Sequence, residues 1–200
     1  MPKIVTLVAA AVVAFLLAGC APENSLFPLF TTSDKNIDER LLGEWRIQSG
    51  AKFTPGEESA RIVFGRSQEG TSYDVTLFDF DKKGMNLASN AHLCSLGSFL
   101  FIDFGSPDPD KRKFAEILFP AIETHIFGRI HLEKEAVRID FLDDEWVAKQ
   151  GSAGKLSLAF ARTPDGPVIS AATEDLRKFA LEHAADDESF SQTYSLSRTK

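Results

Sequence analysis

Alternating apolar and polar positions dominate this chain from residue 44 onwards, in short runs separated by turn residues. A period of two is typical of β-strands with one buried face, and each run has an ordinary strand length. The pattern predicts nine strands, at residues 44–49, 59–66, 72–80, 85–96, 98–105, 122–133, 136–142, 155–162 and 190–198. Helical periodicity is confined to 143–150 and 173–184, and residues 113–122 fit either a short helix or coil.

The clearest strand pair is a hairpin within residues 122–142. A two-residue turn at Lys134-Glu135 sets Ile130 opposite Ile139 on one face. The same register sets Arg129 opposite Asp140 on the other face, where opposite charges stabilise a cross-strand pair. A slip by two residues would keep the same faces, so the charge pair is what favours this register.

The N-terminus has a different pattern. Lys3 precedes an almost unbroken apolar run over residues 4–17, followed by small residues. A basic start, an apolar centre and a small-residue end are the layout of an export signal. The apolar run is shorter than the ~20 residues that span a bilayer, which argues against a plain membrane anchor.

Leu17-Ala18-Gly19-Cys20 resembles a bacterial lipobox. The resemblance implies cleavage before Cys20, a diacylglyceryl group on its sulfur and a palmitate-type acyl chain on the new N-terminus. The alternative is an ordinary secretory signal that contains a cysteine. By similarity to Gram-negative lipoproteins, Ala21 after the cysteine implies the outer membrane, with the protein facing the periplasm.

Three segments follow from these patterns. Residues 1–19 are the expected signal peptide, 20–36 the lipidated N-terminus and spacer, and 37–200 a single β-domain. The spacer assignment rests on two prolines and the lack of a strand or helix period. Its apolar residues are unusual for a free spacer, and either pack on one end of the domain or lie against the membrane. They are Phe27, Leu29 and Phe30.

The charge balance excludes some partners. The 200 residues include 22 basic and 29 acidic side chains, a net charge of −7, and loss of Lys3 with the signal makes the mature chain one unit more negative. Nucleic acids and anionic lipid surfaces are bound by clustered Lys and Arg, so neither is an expected partner. The expected contact with the membrane is the lipid on Cys20.

Gly43-Glu44-Trp45, at the head of the first strand, is similar to the Gly-x-Trp of lipocalins. A helix after most of the strands, followed by one last strand, also resembles that family. The resemblance implies an antiparallel barrel of about eight to nine strands with a C-terminal helix. It also implies an arginine packed across Trp45, with Arg162 or Arg198 as candidates. The chain departs from the family in lacking its disulfide.

The cysteines and histidines are the first candidates for chemistry. With Cys20 lipidated, Cys94 has no disulfide partner, and such a thiol is usually buried and inert. His92 shares a strand face with Cys94, as a metal half-site or a thiol and its base would require. Two ligands are too few for a metal, so core packing is our interpretation. His125 and His131 share a face with Arg129, and we expect that face to be the outer one.

Two carboxylates lie in phenylalanine-rich strands, Asp79 in "LFDFD" and Asp103 in "FIDFG". We expect them to point into the barrel, either as weak candidates for a ligand or proton site or as partners of Arg61 or Arg66. No nucleophile elbow, phosphate loop, dinucleotide motif or zinc-protease motif is found, and no cofactor or metal is predicted. An enzyme would need Asp79, Asp103, His92 and Cys94 to converge, and we do not expect one.

Phenylalanine is the strongest compositional signal, with 17 residues against two Trp and two Tyr. The rings fill a core, or they line a cavity for a hydrophobic ligand such as a lipid or fatty acid. The first functional hypothesis is therefore a lipid-anchored envelope protein that binds such a ligand inside the barrel. The alternative is an envelope interaction or assembly protein with a filled core, which acts on a protein partner through its outer surface.

Overall fold

The structure is a computed structural model that describes residues 23–34, 36–49, 60–78, 86–105, 123–163 and 166–199. The strands in these ranges are β1 (Asn24–Ser25), β2 (Gly43–Ser49), β3 (Arg61–Arg66), β4 (Tyr73–Phe78), β5 (Leu87–Leu96), β6 (Phe99–Gly105), β7 (His125–Leu132), β8 (Ala136–Phe141), β9 (Phe160–Thr163), β10 (Gly166–Ile169) and β11 (Gln192–Arg198). The helices in the same ranges are α1 (Asp144–Ser152) and α2 (Thr173–Glu182).

Eight of these strands close into an antiparallel barrel. Each strand from β2 to β8 pairs with the next one along the chain, and β11 pairs with both β8 and β2. Closure is one way in which an antiparallel sheet avoids exposed edges. The predicted lipocalin-like barrel with a C-terminal helix is therefore confirmed, with α2 preceding the last strand.

The predicted β7–β8 hairpin has the expected register. Arg129 lies opposite Asp140, and Ile130 lies opposite Ile139. The Arg129 guanidinium is 3.5 Å from the Asp140 carboxylate, so the charge pair forms. The strands also approach closely at Gly128, where an added Cβ would lie 2.6 Å from the Asp140 carbonyl oxygen.

An arginine covers the tryptophan at the head of β2, as the lipocalin resemblance implied. The Arg198 guanidinium carbon is 4.2 Å from the centre of the Trp45 ring. Arg198 also donates hydrogen bonds to the carbonyl oxygens of Leu42, at 3.1 Å, and Arg40, at 2.5 Å. Of the two predicted candidates, Arg198 fills this role, and the side chain of Arg162 lies outside the described part.

Aromatic rings form a continuous chain across the barrel interior. The chain begins at Tyr73 on β4 and ends at Tyr194 on β11, with successive ring centres 6.0, 6.3, 5.9 and 5.5 Å apart. Between them lie Phe64, Phe104 and Phe141. These distances are typical of packed aromatic pairs. In the described part of the barrel, phenylalanine therefore fills a core.

A second apolar cluster lies outside the barrel. The segment between β8 and β11, which contains both helices and the β9–β10 pair, packs against the outer face of β5, β6 and β7. The barrel contributes Cys94, Phe101 and Phe127 to this cluster, and the covering layer contributes residues such as Phe179 and Phe190. The outer face of these strands is therefore buried as well as the inner one.

The N-terminal segment corrects the prediction of a spacer over 20–36. Within it, β1 pairs with β7 and β10, and Leu29 is completely buried. Phe30 is half-buried, whereas Phe27 remains 46% exposed. Residues 23–34 are thus part of the folded domain, and they pack along its side wall rather than across one end.

The last third of the chain holds a second difference. The predicted strand over 155–162 is reduced to β9, which pairs with the unpredicted β10 outside the barrel. The predictions for residues 79–85, 106–122 and the signal segment fall outside the described residues. Among the residues that are described, no helix has the length and hydropathy needed to cross a membrane.

Candidate functional site

A groove lies on the outer wall of the barrel, beside the N-terminal segment. This lateral groove has a volume of about 770 Å³ and is lined by parts of β4 and β5, the residues around the start of β7, and Leu26, Pro28 and Phe30. The wall is the outer one, because Asp74 and Asn90 alternate with side chains buried in the barrel. Small-molecule sites are typically ~300–1,000 Å³, so the groove has the size of a ligand site.

Asp103 lies behind this groove and not inside the barrel. The expectation that it points inward is wrong, because its neighbours Ile102 and Phe104 occupy the interior. Asp103 is completely buried, and its Oδ2 accepts a hydrogen bond of 2.5 Å from the backbone N–H of Leu29. Its Oδ1 lies 2.8 Å from Nδ1 of His125. Asp103 therefore connects the N-terminal segment to a histidine of the groove.

The contact with Asp103 determines what His125 offers to the groove. A neutral imidazole that donates from Nδ1 carries its lone pair on Nε2. His125 is 14% exposed and lines the groove, and its Nε2 has no hydrogen-bond partner among the described residues. The pair thus presents a hydrogen-bond acceptor with a fixed orientation.

His92 forms the adjoining surface of the groove. Its ring stacks on Phe30 with ring centres 3.6 Å apart and an angle of 11° between the planes. Phe30 also meets the edge of the His125 ring, with centres 6.1 Å apart. Burial lowers the pKa of His92, more than the neighbouring Asp103 carboxylate raises it. His92 is therefore a neutral, flat contact surface at neutral pH.

The groove also carries two acidic side chains. Asp74 and Glu123 are both exposed at its lining, and no lysine or arginine is among the described lining residues. The groove therefore combines acidic groups with an apolar edge.

The remaining predicted residues do not join this site. Cys94 is completely buried in the outer apolar cluster, and burial raises the pKa of its thiol to about 12. It shares a face with His92, as expected, but it does not line the groove. Asp79 and Cys20 lie outside the described residues. In the described ranges, no three His, Cys, Asp or Glu side chains are grouped as a metal site would require.

Most residues of the groove carry no functional signal in the sequence. Phe30 was placed in a spacer, and its only signal was its apolar character in a polar stretch. Asp74, Asn90 and Glu123 gave no signal, because single polar residues are common on any surface. His125 was placed correctly on the outer face of β7, but its partner Asp103 was not. No protein-family model, no curated protein and no solved structure matches this chain.

Proposed function

We propose that this protein is a lipid-anchored protein of the bacterial cell envelope that acts as a binding protein through its lateral groove. In this proposal Cys20 carries the lipid, and the domain faces the periplasm from the outer membrane. The observation that carries the proposal is the contrast between a ring-filled barrel interior and a groove of about 770 Å³ outside it.

The packing of the interior favours the outer surface as the working surface. A hydrophobic ligand held inside the barrel, the first hypothesis from the sequence, would have to separate rings such as Phe64, Phe104 and Phe141. Close-packed interiors resist such insertion, which typically costs about 1–3 kcal/mol even for extra methylenes. The lateral groove needs no such rearrangement, because its volume is already present.

The start of the folded domain supports a position close to the membrane. The backbone N–H of Glu23 donates to the carbonyl oxygen of Leu142 at 3.0 Å, only three residues after Cys20. An extended chain spans at most ~3.6 Å per residue, so Glu23 lies within about 11 Å of the lipidated residue. Leu26 and Pro28, at the edge of the groove, follow immediately. A lipid on Cys20 would therefore hold the groove near the bilayer surface.

Cell fractionation tests the anchor. Cys20→Ser should move the protein out of the membrane fraction, because a thioether-linked lipid cannot form on serine. Cys94→Ser is the matched control, and it should leave the protein in the membrane fraction. A Cys20→Ser protein that remains in the membrane would contradict the proposed anchor.

Native mass spectrometry of protein purified from its host tests the groove. We expect a bound small molecule that is lost in Ala88→Trp, because Ala88 lines the groove and an indole there would occupy it. Ala136→Trp, on the exposed end of β8, is the control and should keep the molecule. A protein that is reproducibly empty, or one whose ligand survives Ala88→Trp, would contradict the proposal.

A further inference from the structure

The charge of the lateral groove restricts what it can bind. Asp74 and Glu123 contribute two carboxylates, and the described lining residues include no lysine or arginine to neutralise them. The whole chain is also acidic, with a net charge of −7. A field of one sign concentrates ligands of the opposite sign. The groove therefore disfavours an anionic ligand such as a fatty acid and favours a cationic one.

Asp103 and His125 also favour a cationic ligand. Asp103 contacts Nδ1 of His125, so in the neutral ring Nε2 is an acceptor, and it has no partner among the described residues. The His125 side chain is 14% exposed and lines the groove, so a ligand in the groove would replace water at this nitrogen. An acceptor in this position needs a donor on the ligand, because leaving a polar group unpaired after binding weakens affinity. An ammonium group supplies both the positive charge and the donors.

Part of the groove lining is apolar. Leu26, Pro28 and the ring of Phe30 form it, and the stack of Phe30 on His92 makes that part flat. A short alkyl or aromatic chain fits this surface. Burial of its methylenes is favourable, so a chain adds affinity that a bare ammonium ion would lack.

We propose that the lateral groove binds a ligand with an ammonium group on an apolar chain, the ammonium facing Asp74, Glu123 and the Nε2 of His125. This inference rests on the proposed function, since it names the ligand class of the same groove. The ammonium belongs either to a free amine or to the headgroup of a lipid, and the chemistry recognised is the same.

Calorimetric titration of the mature lipidated protein in a nonionic maltoside detergent tests the proposal. Hexylammonium should bind, and hexanoate, its anionic counterpart of equal chain length, should bind at least about tenfold more weakly. A second arm compares dihexanoylphosphatidylethanolamine with dihexanoylphosphatidylglycerol. Preference for the ethanolamine lipid assigns the ammonium to a headgroup, and binding of hexylammonium alone assigns it to a free amine.

Charge removal tests the location. Asp74→Asn/Glu123→Gln should weaken hexylammonium binding about fivefold or more, because each carboxylate contributes roughly 0.5–1 kcal/mol at an exposed site. Glu133→Gln/Glu135→Gln removes two exposed acids beyond the other end of β7 and should leave binding unchanged. Equal binding of hexanoate, or equal losses in the two double variants, would overturn the proposal.

The two proposals fail differently. If hexylammonium does not bind, but Ala88→Trp still removes the molecule that purifies with the protein, the groove is the site and the ammonium assignment is wrong. If Ala88→Trp leaves that molecule in place, the groove itself is not the site.

Discussion

Replacement of Glu23 by glutamine should change how the stability of the protein depends on pH. Glu23 is 2% exposed, and its Oε1 accepts a hydrogen bond of 3.0 Å from the backbone N–H of Asn24. Its Oε2 is buried with no hydrogen-bond partner among the described residues. Burial, together with the nearby carboxylate of Asp144, raises the pKa of Glu23 from 4.5 to about 8. The folded protein therefore keeps this side chain protonated at neutral pH.

The sign and size of the effect follow from this pKa. The unfolded chain ionises Glu23 near its ordinary value, so folding takes up a proton between about pH 4.5 and pH 8. Within this window the contribution of Glu23 to the free energy of unfolding falls by about 1.4 kcal/mol per pH unit as the pH rises. The contribution of Glu23 is fully present below about pH 4.5 and lost above about pH 8. At pH 7 the loss is on the order of 3 kcal/mol.

Glu23→Gln keeps the shape of the protonated side chain and removes the proton uptake. We expect it to be about 2–3 kcal/mol more stable than the wild type at pH 7 and nearly equal to it at pH 4.5. Urea unfolding of both proteins across this range, followed by tryptophan fluorescence, measures the difference. Glu133→Gln, at an exposed position, should run parallel to the wild type. A difference between wild type and Glu23→Gln that does not change with pH would refute the reasoning.

The remaining predictions concern the barrel and its free thiol. Arg198→Ala should lower the free energy of unfolding by about 2 kcal/mol, measured by urea unfolding. Arg198→Lys should lower it by less, because lysine keeps a charge near Trp45 but not both hydrogen bonds. Equal losses in the two variants would argue against the cation–π contact. In the same assay, Gly128→Ala should lower the free energy of unfolding by about 3 kcal/mol, because its Cβ collides with the backbone of β8. Gly154→Ala should lower it by only about 1 kcal/mol, because Gly154 has a φ of 66° but open surroundings. Maleimide should label Cys94 only after unfolding, because burial raises the pKa of its thiol to about 12. Rapid labelling of the folded protein would contradict the buried position of this cysteine.

The barrel could be predicted because its strands carry local signals. Alternation of apolar and polar residues located all eight barrel strands to within a few residues, and the Arg129–Asp140 pair fixed the register of one hairpin. These signals survive in a single sequence because strand pairing between chain neighbours depends on residues that are close together along the chain. These eight include the final strand, because its alternation does not depend on the helices that precede it.

The layer outside the barrel could not be predicted in the same way. In "FLFIDF" the residues on the two faces are Phe101 and Asp103 on one and Ile102 and Phe104 on the other. Both faces are buried, one by the core and one by the covering layer, so the alternation does not show which face is inside. The inward placement of Asp103 was wrong for this reason. Asp103 contacts Leu29 and His125, which are 74 and 22 residues away in the sequence. No local pattern predicts contacts at such separations.

The N-terminal segment links the two parts of the proposed function. Leu29 is completely buried and is held by Asp103, and the same carboxylate orients His125. The next residue, Phe30, stacks on His92 and forms one edge of the groove. A segment that begins three residues after the proposed lipid therefore also builds the wall of the proposed binding site. Residues of this segment line the groove, so the groove is complete only when the segment is docked.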